Sequence, residues 1–119
     1  MTAQNAPIAA EEILSATPEK LTLMLYNGAI RFINDSIAAA NEGDFEKSQG
    51  ANARVQSIIR ELAATLDMQY DLSKNLSSLY EYIEYRLQNA KLKNDTAVLE
   101  EVKSLLTELR DAWEQAMAK

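Results

Sequence analysis

Cysteine and histidine are both absent from this chain. That removes thiol nucleophiles, histidine general bases, disulfides and Cys/His zinc sites together. Glycine and proline are scarce, at 3 and 2 residues, and both prolines lie before residue 19. The remainder of the chain holds nothing that must break a helix. No apolar run approaches the roughly eighteen residues that a transmembrane helix needs. The N-terminus has no basic stretch followed by an apolar one, so no secretory signal is expected. Positive charge is also thin. Against 12 Lys and Arg stand 18 Asp and Glu, a formal net charge of −6, and no basic stripe is visible. Nucleic acid and anionic membrane are therefore not expected partners, because both require clustered cations. A chain without Cys fits the cytoplasm.

What is present favours helix. Hydrophobic residues make up 47% of 119 residues, enough for one domain with one core. Ala, Leu, Glu, Lys and Gln are abundant, and these are good helix formers. Residues 1–16 carry little pattern beyond the apolar set Ile8, Ile13 and Leu14, and read as an N-terminal arm. Thr17-Pro18-Glu19 is a helix start: Thr caps, Pro suits the first position, and Glu favours the positive end of the dipole. The first helix runs to about Ala40, where Asn41-Glu42-Gly43 stops it and Gly43 supplies the left-handed conformation. Asp44 caps a second helix that runs to about Asp67. Asp71 or Ser73 caps a third that reaches Leu92. Asp95 caps a fourth that runs almost to Lys119.

Apolar residues recur at steps of three and four in each segment. The second helix offers Val55, Ile58, Ile59, Leu62 and Leu66. The third offers Leu72, Leu76, Leu79, Ile83, Leu87 and Ala90, and the fourth Val98, Val102, Leu105, Leu106, Leu109, Trp113 and Ala116. One apolar face per helix and short connections predict an all-α fold: an antiparallel up-down-up-down four-helix bundle over 17–119, preceded by the arm.

The first helix carries more apolar surface than this fold requires. Leu23, Tyr26, Ile30, Ile33 and Ile37 form one stripe. Leu21, Leu25, Gly28 and Phe32 form another beside it. Together they cover roughly 200° of the circumference, against about 100° for a helix that only faces a core. Ordinary packing deep in the bundle is one reading of the excess. A groove for a partner's amphipathic helix is the other. The arm residues Ile8, Ile13 and Leu14 have enough apolar surface to cover such a groove displaceably, worth at most about 4–8 kcal/mol before ordering costs. In the third helix Tyr80, Tyr82 and Tyr85 cluster. Tyr80 flanks the core stripe, and Tyr82 and Tyr85 point away from it, as interface or edge-of-core tyrosines.

Catalytic patterns are not found. There is no Glu-x-x-His pair for a di-iron bundle, no calcium loop, no Gly-rich phosphate loop and no Gly-x-Ser-x-Gly elbow. Glu11-Glu12 and Glu100-Glu101 read as solvated faces. Neither an enzyme nor a cofactor or metal site is expected.

The run Ala16-Thr17-Pro18-Glu19-Lys20-Leu21-Thr22-Leu23-Met24-Leu25-Tyr26-Asn27-Gly28-Ala29-Ile30 strongly resembles the flagellar secretion chaperone FliS family. The likeness continues at Gln56–Leu62, Asn75–Tyr82, Arg86-Leu87, Lys93–Asp95, Leu99–Val102 and Leu109–Trp113, in order and spacing. Ile8 stands where the family commonly has Tyr, and Val55 where it usually has a small Ala. The resemblance implies a bundle that binds the C-terminal segment of flagellin, prevents premature polymerisation and aids delivery to the export apparatus. It also implies an arm able to occupy part of the groove, and in some members contact with other flagellar regulators. On this reading Leu21, Leu25 and Phe32, Ile58 and Leu62, and Tyr80, Tyr82 and Tyr85 are expected to contact flagellin. The chain is expected to be a monomer or weak dimer. The alternative is a self-associating structural bundle with no export role.

Overall fold

The computed structural model describes residues 17–93 and 95–118. Among these it contains four helices: α1 (Pro18–Asn41), α2 (Phe45–Ala64), α3 (Asp71–Lys93) and α4 (Thr96–Met117). The arm residues Ile8, Ile13 and Leu14 lie outside the described residues.

Three of the four starts are set by the side chains that the sequence singles out. Thr17 Oγ1 accepts from the Lys20 amide at 3.2 Å with Pro18 just inside the helix. Asp44 Oδ1 accepts from the Lys47 amide at 3.1 Å, and Asp95 Oδ1 from the Ala97 amide at 3.0 Å. Each satisfies an amide that has no partner inside its own helix. The end of α1 is equally local. Gly43 takes a φ of 80°. Its amide donates to the Ala40 carbonyl at 3.0 Å, and the Asp44 amide donates to the Ala39 carbonyl at 2.9 Å. This paired closure needs a left-handed residue, for which glycine has no Cβ penalty. Asp44 thus ends one helix with its amide and starts the next with its carboxylate.

The third start differs from expectation. α3 begins at Asp71, so Asp71 and Ser73 lie inside the first turn and neither caps it. The Tyr70 carbonyl instead accepts from the Ser73 amide at 3.1 Å. α2 also stops at Ala64, short of the expected Asp67. Thr65 Oγ1 donates to the Leu62 carbonyl at 2.7 Å there, pulling the chain out of the helical ladder.

α1 packs on α2 and α4, and α3 packs on α2 and α4, so the helices form a ring in chain order. With connections as short as 42–44, successive helices run antiparallel, which is the up-down-up-down bundle. The core takes Tyr26, Ala29, Ile33 and Ile37 from α1 and Val55, Ile59 and Leu62 from α2. Tyr80, Ile83, Leu87 and Ala90 come from α3, and Val98, Leu99, Val102 and Leu106 from α4.

Polar residues also enter it. Ser36 and Ser48 are buried where α1 crosses α2. Ser36 Oγ donates to the Ser48 carbonyl at 2.8 Å and Ser48 Oγ to the Ser36 carbonyl at 2.7 Å. Small side chains let the backbones approach, and the reciprocal bonds leave neither hydroxyl unpaired. Asn52 Nδ2 donates to the Leu87 carbonyl at 2.9 Å and Gln56 Nε2 to Asn52 Oδ1 at 2.8 Å, tying α2 to α3.

Gly50 is exposed on α2, and an added Cβ would meet nothing within 4 Å. Gly50→Ala is expected to raise the unfolding free energy by about 0.5–1 kcal/mol. Gly43→Ala, forced to positive φ, is expected to lower it by about 1–2 kcal/mol. Urea denaturation of both variants measures this, and a destabilised Gly50→Ala would contradict the described α2.

Candidate functional site

Because α2 ends early, the non-helical segment 65–70 crosses from α2 to α3 at the end of the bundle. Next to it stand the first turns of α1 and α3. A cavity of about 450 Å³ opens between them. Its walls are Leu21 and Leu25 of α1, Leu66 and Tyr70 of the crossing segment, and Leu72 and Leu76 of α3, with Trp113 of α4 to one side. The lining is mostly apolar, as in sites that take an apolar anchor. Tyr70 and Leu72 are each 65% exposed, which leaves the rim unpartnered.

The Trp113 indole donates to the Glu19 carbonyl at 2.9 Å and holds the last turns of α4 against the start of α1. Tyr26 and Tyr80 reach the cavity from the core side and share a hydroxyl–hydroxyl hydrogen bond. Burial pushes both hydroxyls up from the usual tyrosine range.

A second, shallower depression of about 400 Å³ lies on the α1–α2 seam, lined by Phe32, Ala53, Arg54, Ser57 and Ile58. The guanidinium carbons of Arg31 and Arg54 stand 5.6 and 5.2 Å from the Phe32 ring centroid. Between the two depressions α1 presents Gly28, where a Cβ would meet Ile58 Cδ1 at 3.5 Å.

Among the described residues, no cluster of acidic side chains could hold a metal ion, and no helix is long and apolar enough to cross a membrane. The site is a surface of half-covered and exposed apolar side chains.

The model of the flagellar protein FliS family matches residues 1–119. The chain belongs to that family. The flagellar secretion chaperone FliS of Bacillus subtilis (strain 168) is 40% identical over 119 residues, covering 98% of this chain and 90% of the relative. That of Salmonella typhimurium is 34% identical over 110 residues, covering 90% and 82%. A crystal structure of a flagellar chaperone from bacteria superposes with a TM-score of 0.79, covering 99% of this chain and 97% of the other. At 22% identity that last likeness speaks for the four-helix fold alone.

Within this family member the residues singled out from sequence fall into four places. Leu21 and Leu25 are half-buried walls of the end cavity. Phe32 and Ile58 meet in the seam depression. Leu62 and Tyr80, expected to contact a partner, sit in the core at 1% and 3% exposure. Leu62 has no free surface, and Tyr80 spends its hydroxyl on Tyr26.

Tyr82 and Tyr85 are exposed on α3, away from both depressions. The Tyr82 hydroxyl donates to Glu101, which also accepts from Arg86 Nε at 2.8 Å. These partners, Tyr82 first, hold the Glu101 carboxyl below the usual range, and the Glu101 carboxylate in turn raises Tyr82. That face is thus latched to α4.

Tyr70, Leu72 and Trp113 were not expected as site residues, and Leu72 was expected in the core. The available signal was the break before α3: an apolar residue on a first turn beside a crossing segment has no helix facing it.

Tyr26→Phe is expected to cost about 1–3 kcal/mol, because it strands the buried Tyr80 hydroxyl. Removing both hydroxyls should cost much less than the sum of the single changes. Since both folded-state values are raised, the stability they contribute is complete below about pH 10. It is lost as pH rises through the folded-state values. Urea melts from pH 8 upward should show the parent losing stability more steeply than Tyr26→Phe/Tyr80→Phe. Equal slopes would refute the buried pair.

Proposed function

We propose that this chain is a cytoplasmic export chaperone, not an enzyme, and that it binds the C-terminal segment of flagellin. By occupying that segment it prevents premature polymerisation and aids delivery to the flagellar export apparatus. Family membership supports the reading, since the relatives from Bacillus subtilis and Salmonella typhimurium are named flagellar secretion chaperones.

The observation that carries it is the split of the apolar arc of α1. Tyr26, Ala29, Ile33 and Ile37 are consumed by the core, while Leu21, Leu25 and Phe32 remain half-covered beside open depressions. A helix that only faces a core needs an apolar arc of about 100°, so this second face is more than the bundle requires. An amphipathic segment laid along it would bury the remainder. A segment that folds on binding loses several kcal/mol to ordering and typically buries on the order of 1,000–3,000 Å². The end cavity alone is too small for that, so the guest must continue along α1. The arm bearing Ile8, Ile13 and Leu14 is proposed as the displaceable cover of the same face.

Calorimetry with a synthetic peptide of the host flagellin's C-terminal segment should show binding with a strongly negative heat-capacity change. Leu72→Ser, at the exposed rim, should weaken it by about five- to ten-fold. Its unfolding free energy should stay within about 0.5 kcal/mol of the parent. No heat and no mobility shift with the peptide would sink the proposal. A tight dimer in light scattering that ignores the peptide would favour a self-associating bundle instead.

A further inference from the structure

Arginine is used in one way on three seams of the bundle and in another on the fourth. Arg60 of α2 pairs with Glu84 of α3. Arg86 of α3 pairs with Glu101 of α4 at 2.8 Å. Arg110 of α4 donates to Asn27 of α1 at 3.0 Å and to the neighbouring Asp111 carboxylate at 2.8 Å. Each of these side chains joins one helix to the next. The α1–α2 seam has Arg31 and Arg54, both exposed. Among the described residues neither forms an ion pair. Both stand at the Phe32 ring instead, 5.6 and 5.2 Å from its centroid.

That seam is already closed beneath them by the reciprocal Ser36 and Ser48 bonds. The two guanidinium groups are thus not needed to hold the helices together. They are oriented by the ring, which restricts long side chains while leaving their N–H groups open. In a chain of net charge −6 this is a local cationic site on an apolar floor. A carboxylate arriving beside an apolar side chain would meet both needs of such a site.

The site is also continuous with the end cavity. Leu21, Leu25, Gly28 and Phe32 follow one another at steps of four, three and four along one face of α1. Leu21 to Phe32 spans about 16 Å at 1.5 Å per residue. The only small residue on that path is Gly28, beside Ile58.

We propose that Arg31 and Arg54 form a carboxylate-reading subsite for the bound flagellin segment. The guest would place an apolar anchor in the end cavity and an Asp or Glu at the Phe32 groove, about 16 Å further along. This rests on the reading of the chain as a flagellin-segment chaperone. The apolar track supplies affinity, and the arginines set register and direction, because a reversed guest would present its carboxylate at the wrong end.

The test uses the full chain and the host flagellin's C-terminal peptide, by calorimetry at low and high salt. Arg31→Gln/Arg54→Gln changes only exposed side chains, so its circular dichroism and urea midpoint should match the parent. Its affinity for the peptide should fall about five- to ten-fold at low salt, and its salt dependence should flatten. Arg31→Lys/Arg54→Lys should recover the salt dependence. A peptide with every Asp and Glu replaced by Asn and Gln should bind the parent as weakly as the natural peptide binds the Gln variant. It should lose nothing more with that variant. If the natural peptide binds the Gln variant as it binds the parent, with the same salt dependence, this proposal is overturned while the chaperone reading stands. If the parent binds no peptide at all, both fall.

Discussion

Tyr26 and Tyr80 meet hydroxyl to hydroxyl across the bundle, from helices that do not neighbour each other in the ring. Below this pair the four helices close on Ile33, Ile59, Ile83, Leu87, Val102 and Leu106, each almost without exposure. Above it α2 has ended and the end cavity begins. The two rings are large enough to fill the diagonal, yet each carries a polar tip that water cannot reach. A bond between the tips is the way to bury both without stranding either. The pair is therefore the lid of the core and the floor of the site. Anything that moves it moves both, which couples the stability of the interior to the shape of the open end.

How much of this was legible in the sequence follows from how local each determinant is. The caps Thr17, Asp44 and Asp95 and the stop at Gly43 act within four residues of themselves, so they could be read directly. The start of α3 could not. Asp71 and Ser73 both have capping chemistry, yet the helix begins at Asp71 and uses neither, because the path of the crossing segment sets where it starts. Periodicity identifies the inward face of a helix but not how deep each residue goes. Leu62 and Leu72 carry the same side chain at equally regular positions. One is in the core at 1% exposure, and the other is 65% exposed because α2 stops short of it.

Buried polar residues were the larger omission. Ser36 falls three residues after Ile33, and Asn52 three before Val55, so both lie on the core stripe. A stripe read for hydrophobicity passes over them. Their partners are a carbonyl and a serine on other helices, supplied only by the tertiary arrangement. The cavity was foreshadowed by the width of the apolar arc on α1, but its far wall was not. Tyr70 belongs to a segment with no period of its own, and the period that includes Leu72 reads it as core.

The placement of polar closure explains why one side of the molecule can remain open. α2–α3, α3–α4 and α4–α1 are each joined by an arginine to an acceptor on the neighbouring helix. Exposed pairs of this kind are individually weak, so their value is in setting rotation and register more than in free energy. α1–α2 has a different fastening, the buried serine exchange, which lets the backbones come close and needs no long side chain at the surface. Phe32 and Ile58 pack against the core along this seam yet stand half-covered. An apolar groove on this seam is thus a consequence of how the seam is locked. The three latched seams present arginine hydrogen bonds that a guest would have to break, while the serine-locked seam presents apolar surface and arginines that, among the described residues, rest on an aromatic face. Of the four, it is the one where, among the described residues, an incoming helix gains contacts without first dismantling a polar latch.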